Sequence, residues 1–263
     1  MYLRLPGFSM FYEVIGHGIP LLLIHAFPLN RFMWETQKSI LSDEAQLIIP
    51  DMRGFGKSDY QTGAYQMEVL ADDCMGLLEA VVGDQPAVIG GLSMGGYVTL
   101  SFYRKYPHKV AGLILAGTRA SADTPDGKLN RELAVKKTQE MGVEALVSGM
   151  LPKMMAPKTY TTNPELVLEV EQIMMSASVE GVMGALLGMK DRVDSMDLLA
   201  NIDVPTIIMH GNDDQLIPIQ AAEDMHNAIQ NSRLLIIPEA GHLLNLEQPQ
   251  VFNQTVREFL RSI

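Results

Sequence analysis

Residues 91–95 read G-L-S-M-G, which has the form G-x-S-x-G. In this pattern a tight turn between a strand and a helix presents a serine hydroxyl, here that of Ser93. The apolar run at 86–89 predicts the strand, and residues 97–106 predict the helix. Glycines two residues either side of the serine make room for the turn, and the helix start directs free N–H groups toward negative charge. The pattern predicts a nucleophilic serine, provided that a base and an acid lie nearby.

A serine hydroxyl needs a base that takes its proton, and the base needs an acid that orients it and stabilises its charged form. In a parallel sheet such groups lie in loops after the carboxyl ends of strands. Among six histidines, His242 fits best, because it follows the predicted strand at 233–237. The loop after the preceding strand, 210–218, offers two acids, Asp213 and Asp214. The order serine, aspartate, histidine differs from the orders in chymotrypsin and subtilisin.

The elements that must position these residues alternate as apolar strands and amphipathic helices. This order predicts a mostly parallel central sheet with flanking helices and right-handed crossovers, an α/β fold. Residues 1–16 predict a hairpin at the sheet edge. From 121 to 199 we find no buried strand, and we predict helices at 128–141, 144–155, 164–176 and 179–189. We therefore interpret 1–120 and 200–263 as one core domain, and 121–199 as an inserted helical cap.

The cap contains nine of the 18 methionines of the chain. Methionine side chains are flexible and polarizable, so they form adaptable walls around an apolar ligand, but they also fill gaps in ordinary cores. The sequence leaves both interpretations open.

Two further features of the chain favour structural interpretations. Residues 51–59 contain fragments of two nucleotide-binding motifs, but Asp51 and Asp59 stand where those motifs need glycine, so we expect a structural loop. Cys74, the only cysteine, lies on the apolar face of a predicted helix at 66–82, which favours a core position and excludes an intrachain disulfide.

Composition limits the partners of the protein. The net charge of −11 and the pI near 5.0 argue against nucleic-acid binding, which needs clustered cations. The chain shows neither a signal pattern nor an apolar run of about 18 residues, so we expect a cytoplasmic protein without a membrane partner. The sequence does not indicate the oligomeric state.

With its serine, acid and base in this order, the chain resembles the α/β-hydrolase fold family over nearly its whole length, with the cap inserted after the sixth strand. The acid loop of that family often reads G-x-x-D-x-x-x-P, which aligns with Gly211, Asp214 and Pro218 and implies that Asp214 is the acid. Residues 25–28, H-A-F-P, resemble the H-G-x-P turn of the family.

The third residue of the H-G-x-P turn donates a backbone N–H to the oxyanion hole in the family. The resemblance thus implies Phe27 as one donor and Met94, which follows the serine, as the other. Ala26 stands in place of the family's glycine. The resemblance implies a serine hydrolase that forms an acyl-enzyme and needs neither a metal nor an organic cofactor.

Residues 241–249 resemble the corresponding stretch of 3-oxoadipate enol-lactonases. We favour a carboxylesterase for small, apolar esters, followed by a lactonase of that type and by a cofactor-free perhydrolase. The lactonase substrate would need a cation, which Arg119 or Arg131 could supply, although the sequence favours solvated surface arginines. A hypothesis from a different class is a small-molecule receptor on the same fold that turns nothing over.

Overall fold

Eight strands form one sheet in the computed structural model, which describes residues 1–263. The sheet has the order β1-β2-β4-β3-β5-β6-β7-β8, in which β3 to β8 are parallel and β1 and β2 are antiparallel to their neighbours. The predicted α/β class and its mostly parallel sheet are confirmed. The strands are β1 (Tyr2–Leu5), β2 (Phe8–Ile15), β3 (Ile19–Ile24), β4 (Ala45–Pro50), β5 (Ala87–Leu92), β6 (Val110–Ala116), β7 (Thr206–Gly211) and β8 (Ser232–Ile237).

Twelve α-helices surround this sheet, and the longer ones agree with the predicted positions to within a few residues. The structure adds three short helices, α6, α9 and α11, which carry too few residues to show a helical period. The helices are α1 (Glu35–Leu41), α2 (Met67–Val82), α3 (Met94–Lys105), α4 (Pro125–Met141), α5 (Val143–Met150), α6 (Thr159–Thr162), α7 (Pro164–Met175), α8 (Val179–Lys190), α9 (Met196–Leu199), α10 (Ile219–Ala228), α11 (Leu244–Glu247) and α12 (Pro249–Leu260).

Several predicted helix bounds differ from the structure; α4, for example, begins at Pro125 and not at residue 128. Helix α3 begins at Met94, directly after the serine, and not at residue 97, because the glycines after Ser93 already take helical angles. Helix α5 ends at Met150, and a 3-10 turn at Leu151–Lys153 replaces its predicted last turn. Pro152 explains this difference, since proline has no N–H to continue an α-helix.

Helices α4 to α9 all lie between β6 and β7. Side chains at their starts accept backbone N–H groups: Thr124 caps α4, Asn163 caps α7 and Ser178 caps α8. Most buried apolar residues of α5, α7, α8 and α9 belong to the same cluster of 73 residues that contains the faces of the sheet. These helices are therefore packed on the rest of the molecule through a continuous apolar contact.

The segment at 51–59 is a structural loop, as expected. The Asp51 side chain is fully buried and accepts the backbone N–H groups of Arg31 at 2.9 Å and Lys57 at 2.8 Å. A Cβ on Gly56 would lie 2.2 Å from the Asp51 carboxylate. The Asp51 carboxylate thus holds the loop together from inside.

The single cysteine of the chain lies in the core, as the sequence predicts. Cys74 is fully buried in α2, and burial raises the pKa of its thiol well above the usual range, which confirms a core position.

No single helix is long and apolar enough to cross a membrane; only α7 and α8 together, with a bend of 91° between them, reach that length and composition.

Candidate active site

Ser93 lies in the turn between β5 and α3, with a φ of 57° and a ψ of −113°. Non-glycine residues rarely take a positive φ, and they do so mostly where the surroundings enforce it. A Cβ on Gly91 would lie 2.2 Å from the backbone of Gly95, and one on Gly95 would lie 2.2 Å from the carbonyl oxygen of Ile24. Only glycine fits two residues before and two residues after Ser93, so the turn is fixed by backbone contacts.

The backbone of Ser93 is held on both sides. Its N–H donates to the carbonyl of Ala116 at 2.9 Å, and its carbonyl accepts the Thr118 hydroxyl at 2.9 Å and the N–H of Gly96 at 2.9 Å. The Ser93 hydroxyl makes no capping bond to α3. The turn therefore leaves the hydroxyl free at the start of a helix, whose partial positive charge attracts anions.

His242 and Asp214 form a buried pair, each with a side chain that is 1% exposed. His242 Nδ1 lies 2.8 Å from Asp214 Oδ2. Since an ionised carboxylate only accepts, Nδ1 carries the proton and Nε2 of the neutral ring is the acceptor. Nε2 has no hydrogen-bond partner in the protein. This nitrogen is the one that can take a proton.

The Asp214 carboxylate remains ionised despite its burial. Burial acts to raise its pKa, but the charge and hydrogen bond of His242 act against burial, as do the N–H groups of Ile217 at 3.0 Å and Leu216 at 2.8 Å. Together these hold the pKa of Asp214 below its ordinary value. Asp213, the other candidate acid, makes its side-chain hydrogen bond to Asn212 at 3.3 Å instead. The structure thus brings Asp214, and not Asp213, to His242.

Two other histidines at strand ends have structural partners. His210 lies behind the pair, with Nε2 3.7 Å from Asp214 Oδ2, and donates to the carbonyl of Ile217 at 3.0 Å. Burial lowers the pKa of His210, which keeps the ring neutral. His25 is saturated: Nδ1 donates to the Ala26 carbonyl at 2.9 Å, and Nε2 accepts the N–H of Met52 at 3.0 Å. Nδ1 of His210 has no partner either, but neither His210 nor His25 lines the cavity that contains Ser93.

The turn after β3 brings Phe27 to the same cavity as Ser93 and His242. The Phe27 N–H donates to no acceptor within the protein. Ala26, which replaces the glycine of the related turn, is fully buried and has no positive φ. An alanine Cβ is therefore accommodated without backbone strain.

A cavity of about 170 Å³ is lined by three of the candidate residues, Ser93, His242 and Phe27, but not by Asp214 or Met94. A second cavity of about 420 Å³ lies between this one and helices α4, α5 and α8. No group of three or more His, Cys, Asp or Glu side chains is arranged to hold a metal ion. Five residues line both cavities, which makes them neighbours: Phe27, Arg119, Arg131, Met150 and Leu216.

Asp123 lies at the centre of a cluster of three arginines, which we call the cationic wall: Arg119, Arg131 and Arg192. The sequence did not predict this cluster. The Asp123 side chain is 1% exposed and pairs with Arg119, Arg131 and, at 2.9 Å, Arg192. Burial acts to raise the pKa of Asp123, but the guanidinium groups hold it below the ordinary value. The expectation of solvated surface arginines is wrong, since Arg119 and Arg131 are only 25% and 19% exposed and line the cavity.

Arg192 lines neither cavity, and its contacts are all with other groups of the protein. It donates to the carbonyls of Met189 at 2.9 Å and Ser121 at 2.7 Å, and its guanidinium lies 4.2 Å from the centre of the Tyr97 ring. Since three guanidinium groups share one carboxylate, the wall carries an excess of positive charge. Asp123 is the only acidic residue that lines either cavity.

Residues 19–249 match the family model of the alpha/beta hydrolase fold, and the chain belongs to that family. A solved thermophilic esterase from Thermogutta terrifontis, with malate bound, is 41% identical, with a TM-score of 0.95 over 99% of this chain and 96% of its own. A putative non-heme chloroperoxidase of Synechocystis is 30% identical over 96% of this chain and 95% of its own. A 3-oxoadipate enol-lactonase of Acinetobacter baylyi is 28% identical over 88% of this chain and 84% of its own.

Proposed function

We propose that this protein is a serine hydrolase that cleaves small carboxylic esters through an acyl-enzyme. The observation that carries the proposal is the common cavity of Ser93 and His242, with the free Nε2 of a histidine whose Nδ1 is held by Asp214. The likeness to an esterase at 41% identity supports it.

In the proposed mechanism, His242 Nε2 takes the hydroxyl proton as Ser93 Oγ attacks the ester carbonyl. The N–H groups of Phe27 and Met94 hold the oxyanion, and each such donor contributes about 3 kcal/mol to the stability of the transition state. Asp214 stabilises the imidazolium. When the intermediate collapses, the C–O bond breaks and the alcohol leaves with the proton from His242. Water, deprotonated by His242, then attacks the acyl-enzyme and restores the Ser93 hydroxyl.

We further propose that residues 121–199 act as the cap over this cavity. Met150 and Met189 line the inner cavity, whereas Met154, Met155 and Met174 are buried in packing contacts. Both uses of methionine that the sequence left open are therefore present. Because the cavity of about 170 Å³ shares five lining residues with one of about 420 Å³, we expect one side of the ester to be short and the other to extend under the cap.

The test is turnover of p-nitrophenyl esters of graded acyl length by the purified protein. We expect activity on short acyl groups, and by analogy with other triads Ser93→Ala lowers kcat by about 10⁶-fold. Absence of p-nitrophenol release, or equal release by Ser93→Ala, overturns the esterase proposal. Absence of turnover together with saturable ligand binding would favour a receptor, and bromination activity dependent on peroxide and a carboxylic acid would favour a perhydrolase.

The cationic wall favours a second candidate, a lactonase or esterase whose substrate carries a carboxylate. Asp123 supplies one negative charge to three guanidinium groups, so a net positive charge remains where Arg119 and Arg131 line the cavity. A charged hydrogen bond of this kind is worth about 1.5–3 kcal/mol. The relatives include a 3-oxoadipate enol-lactonase. We propose a similar substrate class for this protein, an ester or lactone that carries a carboxylate.

Arg131→Met tests the second candidate on two substrates of matched length, p-nitrophenyl valerate and mono-p-nitrophenyl glutarate. We expect kcat/KM for the glutarate ester to fall about tenfold more than for the valerate ester, which corresponds to about 1.4 kcal/mol. Lys136→Met is the control, because Lys136 lies on the same helix but is 73% exposed and faces Glu140 at 3.9 Å. An unchanged selectivity in Arg131→Met, or the same change in both variants, overturns the candidate.

A further inference from the structure

Residues 154–159, which we call the strap, cross both loops that carry the buried pair. The strap carbonyl of Met154 accepts the N–H of Leu243 at 3.0 Å, directly after His242. Its Met155 carbonyl accepts the side-chain amide of Gln215 at 3.1 Å, directly after Asp214. The strap comes from the helical segment between β6 and β7, yet it contacts the sheet-edge loops on both sides of the site.

The approach of the strap to the histidine loop is close. A Cβ on Gly241 would lie 2.3 Å from the backbone nitrogen of Ala156, so only glycine fits before His242. A Cβ on Gly211 would in turn lie 2.1 Å from the carbonyl oxygen of Gly241. The strap, the histidine loop and the end of β7 are thus stacked backbone on backbone.

Glu247 joins the strap to the histidine loop through three hydrogen bonds. Its Oε2 accepts the N–H of Gly241 at 2.7 Å, and its Oε1 accepts the N–H of Ala156 at 2.8 Å and the hydroxyl of Thr159 at 2.6 Å. Burial raises the pKa of Glu247, although these donors act in the opposite direction. Both oxygens are therefore engaged, and each accepts from a different side of the contact.

Glu247 has no part in the proposed chemistry, because its hydrogen bonds go to Gly241, Ala156 and Thr159 and to neither Ser93 nor His242. Its contact is with the N–H of Gly241, the residue before His242, so a shift of this contact would displace the backbone from which the imidazole extends. We propose that Glu247 is a positioning residue for His242, which ties the strap to the histidine loop so that the proton acceptor and the cap are placed as one unit. This inference rests on the proposed function.

Glu247→Gln tests the proposal, because a side-chain amide has one accepting oxygen and cannot accept from both sides. We expect kcat on p-nitrophenyl acetate to fall by about 10²-fold, as for other small displacements of reacting groups, with KM unchanged. The downfield ¹H NMR signal of the His242 Nδ1 proton should broaden or move. Glu239→Gln is the matched control: Glu239 bonds Lys158 of the same strap at 3.0 Å, but these side chains are 65% and 61% exposed, and we expect wild-type behaviour.

Thr159→Val removes one donor to Oε1 and leaves the rest, so it should lower kcat less than Glu247→Gln does. It also decides the matter if Glu247→Gln fails to fold: a lowered kcat then supports the proposal, and an unchanged kcat overturns it. A folded Glu247→Gln with wild-type kcat and an unchanged NMR signal overturns it, as does a raised KM with kcat unchanged. If the wild type itself cleaves no ester, the proposed function fails, while the NMR signal still reports whether Glu247 positions His242.

Discussion

The serine turn at 91–96 and the side chains of α4, α5 and α8 that face it line one cavity but differ in what surrounds them. Elsewhere α8 is itself packed backbone on backbone, since a Cβ on Gly181 or Gly188 would lie 2.1 Å or 1.7 Å from a carbonyl oxygen. Around Ser93 the contacts are between backbone atoms, and a Cβ on Gly91 or Gly95 would approach its nearest backbone atom to 2.2 Å. Across the cavity the walls are side chains, such as Met150 and the ion pairs of Asp123, and a Cβ on Gly149 would meet nothing within 4 Å.

The difference separates two tasks of the molecule. In the proposed mechanism, backbone contacts that admit only glycine place Ser93 and tolerate little change. The proposal gives the cavity-lining side chains the task of meeting the substrate, so they can change without moving the reacting atoms. Glu247 and the strap carbonyls of Met154 and Met155 connect the helical region to the loops of the buried pair.

After Ser93→Ala, the largest effect on kcat is expected at Asp214, the residue that contacts His242. Asp214→Asn should lower kcat by about 10⁴-fold, because an amide that donates to His242 Nδ1 puts the ring proton on Nε2 and removes the acceptor for the serine proton. Kinetics on p-nitrophenyl acetate measure this. Asp213→Asn, one residue away, is the control and should retain wild-type rates; an unimpaired Asp214→Asn would reject the assignment.

A change in the helical region should affect stability instead. Asp123→Asn leaves Arg119, Arg131 and Arg192 without a counter-charge and should lower the free energy of unfolding by about 3 kcal/mol. Urea denaturation at pH 7 measures this loss. Lys136→Met, on exposed α4 surface, should leave the stability unchanged.

The stability loss in Asp123→Asn should depend on pH. Because the pKa of Asp123 is lowered in the folded state, its contribution is complete above the unfolded pKa of about 3.9 and disappears as the pH falls through the folded pKa. The difference in unfolding free energy between the wild type and Asp123→Asn should therefore shrink in denaturation series below about pH 4. A difference that is constant down to acid pH would contradict the ionised assignment.

The smallest effects compare the two regions directly through glycine. Gly95→Ala should destabilise the protein by about 1–3 kcal/mol, because the added Cβ overlaps the Ile24 carbonyl. Gly149→Ala in α5 should stabilise it by about 0.5–1 kcal/mol, since the site is open and alanine favours a helix. Thermal unfolding of both variants measures the contrast, and equal shifts would remove the distinction between the regions.

The sequence predicted what depends on local pattern. The buried strands, the serine turn and the loop of His242 follow from apolar runs and turn residues close to them in the chain. Asp214 was selected over Asp213 by resemblance, and its contact with His242 agrees with that choice.

What the sequence missed depends on which charged side chains turn inward, and chain spacing alone does not reveal this even for Arg119 and Arg131, which are four and eight residues from Asp123. Arg119 and Arg131 are drawn into the cavity by Asp123, which also pairs with Arg192, nearly 70 residues away. Glu247 finds two of its three donors, in Ala156 and Thr159, about 90 residues before it. A charged residue next to no visible motif reads as surface, and nothing local marks such partners.

The most direct test of the account is covalent labelling of Ser93 by a fluorophosphonate, followed by mass spectrometry of the digested protein. We predict a single phosphonyl adduct on the peptide that contains Ser93 in the wild type, and far slower labelling in His242→Ala, because the attack needs the base at Nε2. Absence of an adduct, an adduct on another residue, or equal labelling rates in the two proteins would contradict the claim that Ser93 is a nucleophile activated by His242.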